Sequence, residues 1–145
     1  ALRNIEASEA SGRPPLEVLV VGCGLSPLVF ALADRGSWNV RCMEVSATLI
    51  EQLQAAARSV PRPPVFELGD ITELGVHAAG RDGDVGATKM RARMDVVIDE
   101  NVLDGMGCRF PPEAGVESQR LALAGMGSLL RPGGALLTLS FLPLD

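Results

Sequence analysis

The apolar run Val18–Val21 ends in GCGLS, with Gly22 and Gly24 one residue apart and Ser26 close behind. Gly22 can adopt dihedrals closed to larger residues, and Gly24 lets a ligand reach the main chain with no Cβ between them. The helix expected next presents unpaired N–H groups and positive potential to that ligand. Twenty positions after Gly24, Glu44 closes the alternating segment WNVRCME. A carboxylate at the end of a second strand can accept both hydroxyls of a ribose, each bond contributing about 1.5–3 kcal/mol. Glycine turn and acid together predict a nucleotide-like ligand. Asp70 closes PVFELGD and stands directly before ITEL, where a ligand acceptor and a helix cap are equally good readings. Asp99, in MDVVIDE, is a further acid at a strand end.

Strands that alternate with helices would hold these residues in place. Val18–Val21 reads as a buried parallel strand. Pro27 can enter the first turn of a helix bearing Leu28, Val29, Leu32 and Ala33, closed by Gly36. WNVRCME is the second strand. Ser46 or Thr48 can cap a helix carrying Leu49, Ile50, Leu53 and Ala57, which must stop before Pro61. PVFELGD and MDVVIDE are strands three and four. Residues 75–93, rich in glycine and charge, are expected to form a mobile loop. Asp104 falls in a turn after Leu103, where a local cap is expected. Glu117 to Leu130 predicts a helix with Leu123, Met126 and Leu130 on one side, RPGG breaks it, and ALLTLSFL is the fifth strand. The alternation implies a doubly wound α/β domain with a parallel sheet.

With 145 residues, 47% of them apolar and 21% charged, the chain has the composition of one globular domain, read as residues 1–145 with a polar N-terminal segment over 1–15. A net charge of −5 argues against nonspecific nucleic-acid binding, and no apolar run is long enough to cross a bilayer. Cys23, Cys42 and Cys108 have unrelated spacings and read as buried reduced thiols of a cytoplasmic protein. His77 is the lone histidine, so no metal-site spacing appears, and it is expected to face solvent. Trp38 and four phenylalanines are too few for a base-stacking platform.

The NAD fingerprint needs a third glycine three positions after the second, and Pro27 stands there, which argues against a dehydrogenase. From about Glu17 to Leu142 the chain resembles the class I S-adenosylmethionine-dependent methyltransferases. The resemblance rests on VLVVGCGLS, on Glu44, on ELGDITEL, on MDVVIDENVLDGM and on LLRPGGALLTLSF, in that order. Within that group, GCG.S with DVVID and a later LD is similar to the branch containing lysine methyltransferases of a translation elongation factor. Leu25 replaces that branch's usual asparagine, and Glu100, Asn101 and Val102 stand where it favours Lys-Gly-Thr.

The resemblance implies a Rossmann-like sheet of strand order 3-2-1-4-5 and S-adenosylmethionine as cofactor, with S-adenosylhomocysteine as product. By the same likeness Gly22, Cys23, Gly24, Leu25 and Ser26 would hold the methionine part. Glu44 would bind the ribose, Val45 would pack on the adenine, Asp70 would accept the adenine amino group, and Ile71 would cover the ring. Asp99 and Glu100 would lie near the methionine amine and the transferring methyl, with Asp99 the candidate for a catalytic role. The expected activity is methyl transfer to a protein side chain, a lysine, with a small-molecule acceptor and a non-catalytic binding or scaffolding subunit as alternatives. Members of the family normally add two strands after the fifth. The sheet is therefore expected to lack its last two strands and to expose an apolar fifth-strand edge, open to a homodimer partner or to the rest of a parent chain.

Overall fold

The computed structural model describes residues 14–78 and 91–141. Period-two side-chain alternation and near-continuous apolar character make a strand that is buried on both faces. Five segments meet that description to different degrees: β1 (Leu16–Val21), β2 (Trp38–Glu44), β3 (Val65–Leu68), β4 (Met94–Glu100) and β5 (Leu130–Leu139). They form one parallel sheet in the order β3-β2-β1-β4-β5, as the sequence predicts. The order reverses between β1 and β4, so a crevice opens above their C-terminal ends.

Helices cover both faces: α1 (Leu28–Ala33), α2 (Ala47–Ala57), α3 (Ile71–Ala78), α4 (Val102–Gly107) and α5 (Pro112–Leu129). Val18, Val20, Cys42 and Ile98 pack with Val29 and Ala33 of α1 and Leu53 of α2. On the other face Leu19, Val21, Met43 and Val97 pack with Ile71, Met106, Ala122, Met126 and Leu129. Ser46 caps α2, its Oγ accepting from Leu49 N at 3.3 Å. A Cβ on Gly75 would lie 1.9 Å from the Leu121 carbonyl oxygen, and one on Gly125 would lie 2.2 Å from that of Ile71. These two absent side chains let α3 and α5 touch backbone to backbone, which fixes where Ile71 stands.

Several expectations are corrected. Residues 75–78, assigned to a loop, are the last turn of α3, because close packing against α5 outweighs local glycine content. Residues 79–90 of that expected loop, and the side chain of His77, lie outside the described residues. The turn expected around Asp104 is the short helix α4. Helix α5 begins at Pro112, well before Glu117, since proline at the first helical position loses no hydrogen bond. Its buried stripe is Gly115, Ala122, Gly125, Met126 and Leu129, while Leu123 is 45% exposed. RPGG lies inside β5, not ahead of it. Leu130 pairs with Met94 and Ala135 with Val96, so residues 131–134 bulge outward, and Arg131 pairs there with Asp95. β5 is one of the two edge strands among the described residues, with Leu137 and Leu139 each nearly half exposed.

The cysteines differ most. Cys23 and Cys42 are joined by a disulfide, and Cys108 is free and exposed. The expectation of three buried reduced thiols fails at all three positions, and with it the thiol-based reason for a cytoplasmic location. Sequence separation hid the pair, because the parallel register of β1 and β2 is what brings a turn residue beside a mid-strand one. No helix among the described residues is long and apolar enough to cross a membrane.

Candidate functional site

β1 ends where Gly22 N–H donates to the Met43 carbonyl at 2.9 Å, and there the chain must leave the sheet. Gly22 has φ +72°, and a Cβ on it would meet Val102 Cγ2 at 2.0 Å, so the start of α4 packs directly on the turn. Gly24, at φ +50°, has open space where its Cβ would be. One glycine therefore admits the chain's own α4, and the other leaves the half-buried main chain open on its Cβ side. The turn continues with Ser26 N–H donating to the Cys23 carbonyl at 2.9 Å and Ser26 Oγ accepting from Leu28 N at 3.1 Å.

β2 delivers Glu44 to the same place. The residue is 7% exposed. Oε1 accepts from Val45 N at 2.9 Å and Ser46 N at 3.2 Å, and Oε2 accepts from Gly24 N at 3.2 Å. The predicted convergence of acid and glycine turn is thus a direct hydrogen bond. Backbone donors favour a charged acceptor.

At the tip of β3, Asp70 caps α3, with Oδ1 accepting from Thr72 N at 2.8 Å and Thr72 Oγ1 at 2.7 Å. The capping reading is realised, and Oδ2 has no protein partner among the described residues. β4 ends in two acids with different surroundings. Asp99 is fully buried, and its Oδ1 accepts from Val102 N at 2.9 Å and Leu103 N at 3.3 Å, holding the first turn of α4. Burial pushes the Asp99 carboxyl above its ordinary value of 3.8, against these two N–H bonds, and Asp104 adds to the rise. Asp99 Oδ2 and Glu100 Oε2 are buried without hydrogen-bond partners among the described residues. Asn101 then turns in the left-handed region at φ 63°, a conformation asparagine tolerates better than most residues. Asp104 accepts from Ser140 Oγ at 2.9 Å and Phe141 N at 2.8 Å, tying α4 to the end of β5.

These tips surround a cavity of about 380 Å³ whose lining includes Gly22, Glu44, Val45, Asp70, Ile71 and Glu100, together with Met43, Asn101, Val102, Met106 and Arg109. That volume lies within the usual range of small-ligand sites. Of the predicted residues, Cys23, Gly24, Leu25, Ser26 and Asp99 do not line it. Cys23 is buried in its disulfide, Leu25 is 66% exposed, and Asp99 sits beneath α4. Ile71 reaches the wall but is 2% exposed, held in the core, whereas Val45 is 65% exposed. Asn101, Met106 and Arg109 were not foreseen, because they are placed by α4 and the residues flanking it, a short irregular sequence that carries no helical period. Arg109 is the one cation on the wall among the described residues, pinned by Nη1 donating to Ser118 Oγ at 3.0 Å.

A second cavity of about 460 Å³ lies at the opposite rim, among Pro15, Trp38, Arg62 and Val65. Its polar groups have protein partners: Arg41 pairs with Glu67 at 2.7 Å, Glu17 accepts from Asn39 Nδ2 at 2.7 Å, and Arg62 donates to the Gly36 carbonyl. Among the described residues no group of His, Cys, Asp or Glu could hold a metal ion.

No family model matches the chain. Solved structures do. The CcbJ methyltransferase from Streptomyces caelestis is 25% identical with a TM-score of 0.57, over 94% of this chain and 46% of its own. The glycopeptide N-methyltransferase MtfA, complexed with S-adenosyl-L-homocysteine, is 18% identical with a TM-score of 0.61, over 92% of this chain and 48% of its own. A protein from Rhodobacter sphaeroides described as a putative Zn-dependent alcohol dehydrogenase is 19% identical with a TM-score of 0.64, over all of this chain and 48% of its own. The chain spans about half the length of these structures, and such likeness speaks to architecture, not to chemistry. A five-stranded parallel sheet of order 3-2-1-4-5 with helices on both faces gives the chain the Rossmann-like fold of the S-adenosylmethionine-dependent methyltransferases.

Proposed function

We propose that this chain binds S-adenosylmethionine in the cavity above β1, β2 and β4 and carries the cofactor half of a methyltransferase. The observation that carries the reading is the hydrogen bond from Gly24 N to Glu44 Oε2, which places a buried acid and open main chain at one point. Glu44 would take the ribose hydroxyls with the lone pairs its backbone donors leave. Val45, exposed on the rim, would cover the adenine from one side and Ile71 would present a fixed apolar wall on the other. Asp70 Oδ2 would accept from the adenine amino group while Oδ1 keeps capping α3. Glu100, which lines the wall and whose buried Oε2 has no partner among the described residues, would receive the methionine ammonium. Asp99 would act at one remove, by holding α4 against the turn.

When bound, the cofactor supplies a methyl group on a sulfonium. The protein's part in an in-line displacement is alignment of the reactants, and no residue of this chain needs to form a covalent bond. We assign a protein lysine as the acceptor, on the similarity of GCG.S and DVVID to the elongation-factor branch. A small acceptor is the second reading, supported by the glycopeptide N-methyltransferase among the similar structures. Incubation with methyl-tritiated S-adenosylmethionine separates the readings. Label in acid-precipitable protein at lysine supports the first, and label only in soluble products supports the second. Binding without any transfer contradicts both and leaves a non-catalytic subunit.

A further inference from the structure

The glycine turn is flanked by its own freedom. Gly22 and Gly24 both have positive φ, and glycine gives the backbone more conformations than any other residue. Something other than local preference must hold Cys23 and Gly24 against β2. Three links do so. Gly22 N donates to the Met43 carbonyl, Gly24 N donates to Glu44 Oε2, and Cys23 is bonded to Cys42. Only the last is covalent. It joins the residue before Gly24 to the strand position two before Glu44, with Cα atoms 6.5 Å apart, so it ties the same turn to the same strand as the Gly24–Glu44 contact. Both cysteines are buried, packed with Val18, Val20, Val29 and Ile98 beneath α1.

We infer that the Cys23–Cys42 bond is a redox-sensitive clamp that positions the ligand-binding turn: the oxidised chain binds the cofactor, and reduction loosens the turn and weakens binding. The inference rests on the ligand reading above. Reduction requires a dithiol. One thiolate of the reductant attacks a sulfur of the pair and forms a mixed disulfide, and its second thiolate then closes a ring and releases the other cysteine. The products are two cysteine thiols and the cyclic disulfide of the reductant, a transfer of two electrons and two protons. With Cys23 2% exposed and Cys42 fully buried, the turn must open before a thiolate can reach either sulfur. Ligand that holds the turn closed must therefore protect the bond. By linkage, the factor by which reduction weakens the ligand equals the factor by which the ligand disfavours reduction.

The test uses the unaltered chain, equilibrated in a glutathione redox buffer or reduced with dithiothreitol. Alkylation in denaturant without reductant should label Cys108 alone in the oxidised sample and all three cysteines in the reduced one. Calorimetry with S-adenosylhomocysteine should show affinity falling roughly tenfold on reduction, within the usual span of such couplings. Far-ultraviolet circular dichroism should be unchanged. Saturating ligand should raise the ratio of reduced to oxidised dithiothreitol at half-reduction by the same factor. Cys42→Ala should bind like the reduced chain with or without dithiothreitol. Three alkylated thiols in the oxidised sample, or equal affinity in both states, overturns the clamp. No binding by the oxidised chain with its disulfide intact overturns the ligand reading itself, a separate result.

Discussion

Glu44→Gln keeps the length of the side chain and removes its charge. Glu44 accepts from Val45 N and Ser46 N on Oε1 and from Gly24 N on Oε2, and it is 7% exposed. An amide can keep its oxygen on Val45 and Ser46 only by turning its own N–H groups toward Gly24 N–H. That leaves a buried donor facing a donor, at a cost of about 1–3 kcal/mol, and the flipped amide strands two donors instead. Unfolding free energy should fall by about that amount, with a loss in Tm of roughly 2–4 °C per kcal/mol for a chain of this size. An amide nitrogen also cannot accept from a ribose hydroxyl. Loss of one charge-assisted bond of about 1.5–3 kcal/mol weakens S-adenosylhomocysteine by roughly 10–150-fold. Urea unfolding followed by circular dichroism and calorimetry with S-adenosylhomocysteine read the two effects separately. A variant that is less stable but binds with unaltered affinity shows that Glu44 braces the turn without touching ribose. A variant unaltered in both respects refutes the reasoning for this residue.

Two further substitutions probe the turn and the helix behind it. Gly22→Ala should cost about 2–4 kcal/mol in urea unfolding, combining a left-handed alanine with overpacking against Val102, whereas Gly24→Ala should cost only the conformational part, about 1–2 kcal/mol. Equal losses at the two positions contradict the packing of α4 on Gly22. For Asp99, whose carboxyl is raised by burial, the folded chain binds the proton more readily than the unfolded one, so stability falls as pH rises from 3.8 through the raised value and then levels. In Asp99→Asn that downward slope should disappear from urea midpoints measured between pH 4 and pH 8. A slope that persists assigns it to another group.

The elements that rest on period and capping chemistry could be read directly: β2 begins at Trp38 and ends at Glu44, and α2 is capped by Ser46, one of the two residues the sequence offers. The ordering of acids at strand tips was equally legible, because parallel strands must deliver their last residues to one rim. What could not be read depends on partners distant in sequence. Gly75 looks like a loop residue until Leu121 lies against it. RPGG looks like a break until β4 pairs on both sides of it. Cys23 and Cys42 look unrelated until the register of β1 on β2 places them together. At the site, Asp99 and Glu100 are adjacent in sequence and chemically alike, yet α4 buries one and leaves the other on the cavity wall. Single-residue chemistry cannot separate two such neighbours, since strand alternation sends them to opposite faces.

The central claim is that the C-terminal rim of β1, β2 and β4 grips an adenosine-bearing sulfonium. Amide chemical-shift mapping of the nitrogen-15-labelled chain, titrated with S-adenosylhomocysteine, tests it most directly. Shifts should concentrate at Gly24, Val45, Asp70–Thr72 and Glu100–Val102 and saturate together. Saturable shifts grouped instead around Trp38 and Arg62 at the opposite rim, or none at millimolar ligand, contradict the account.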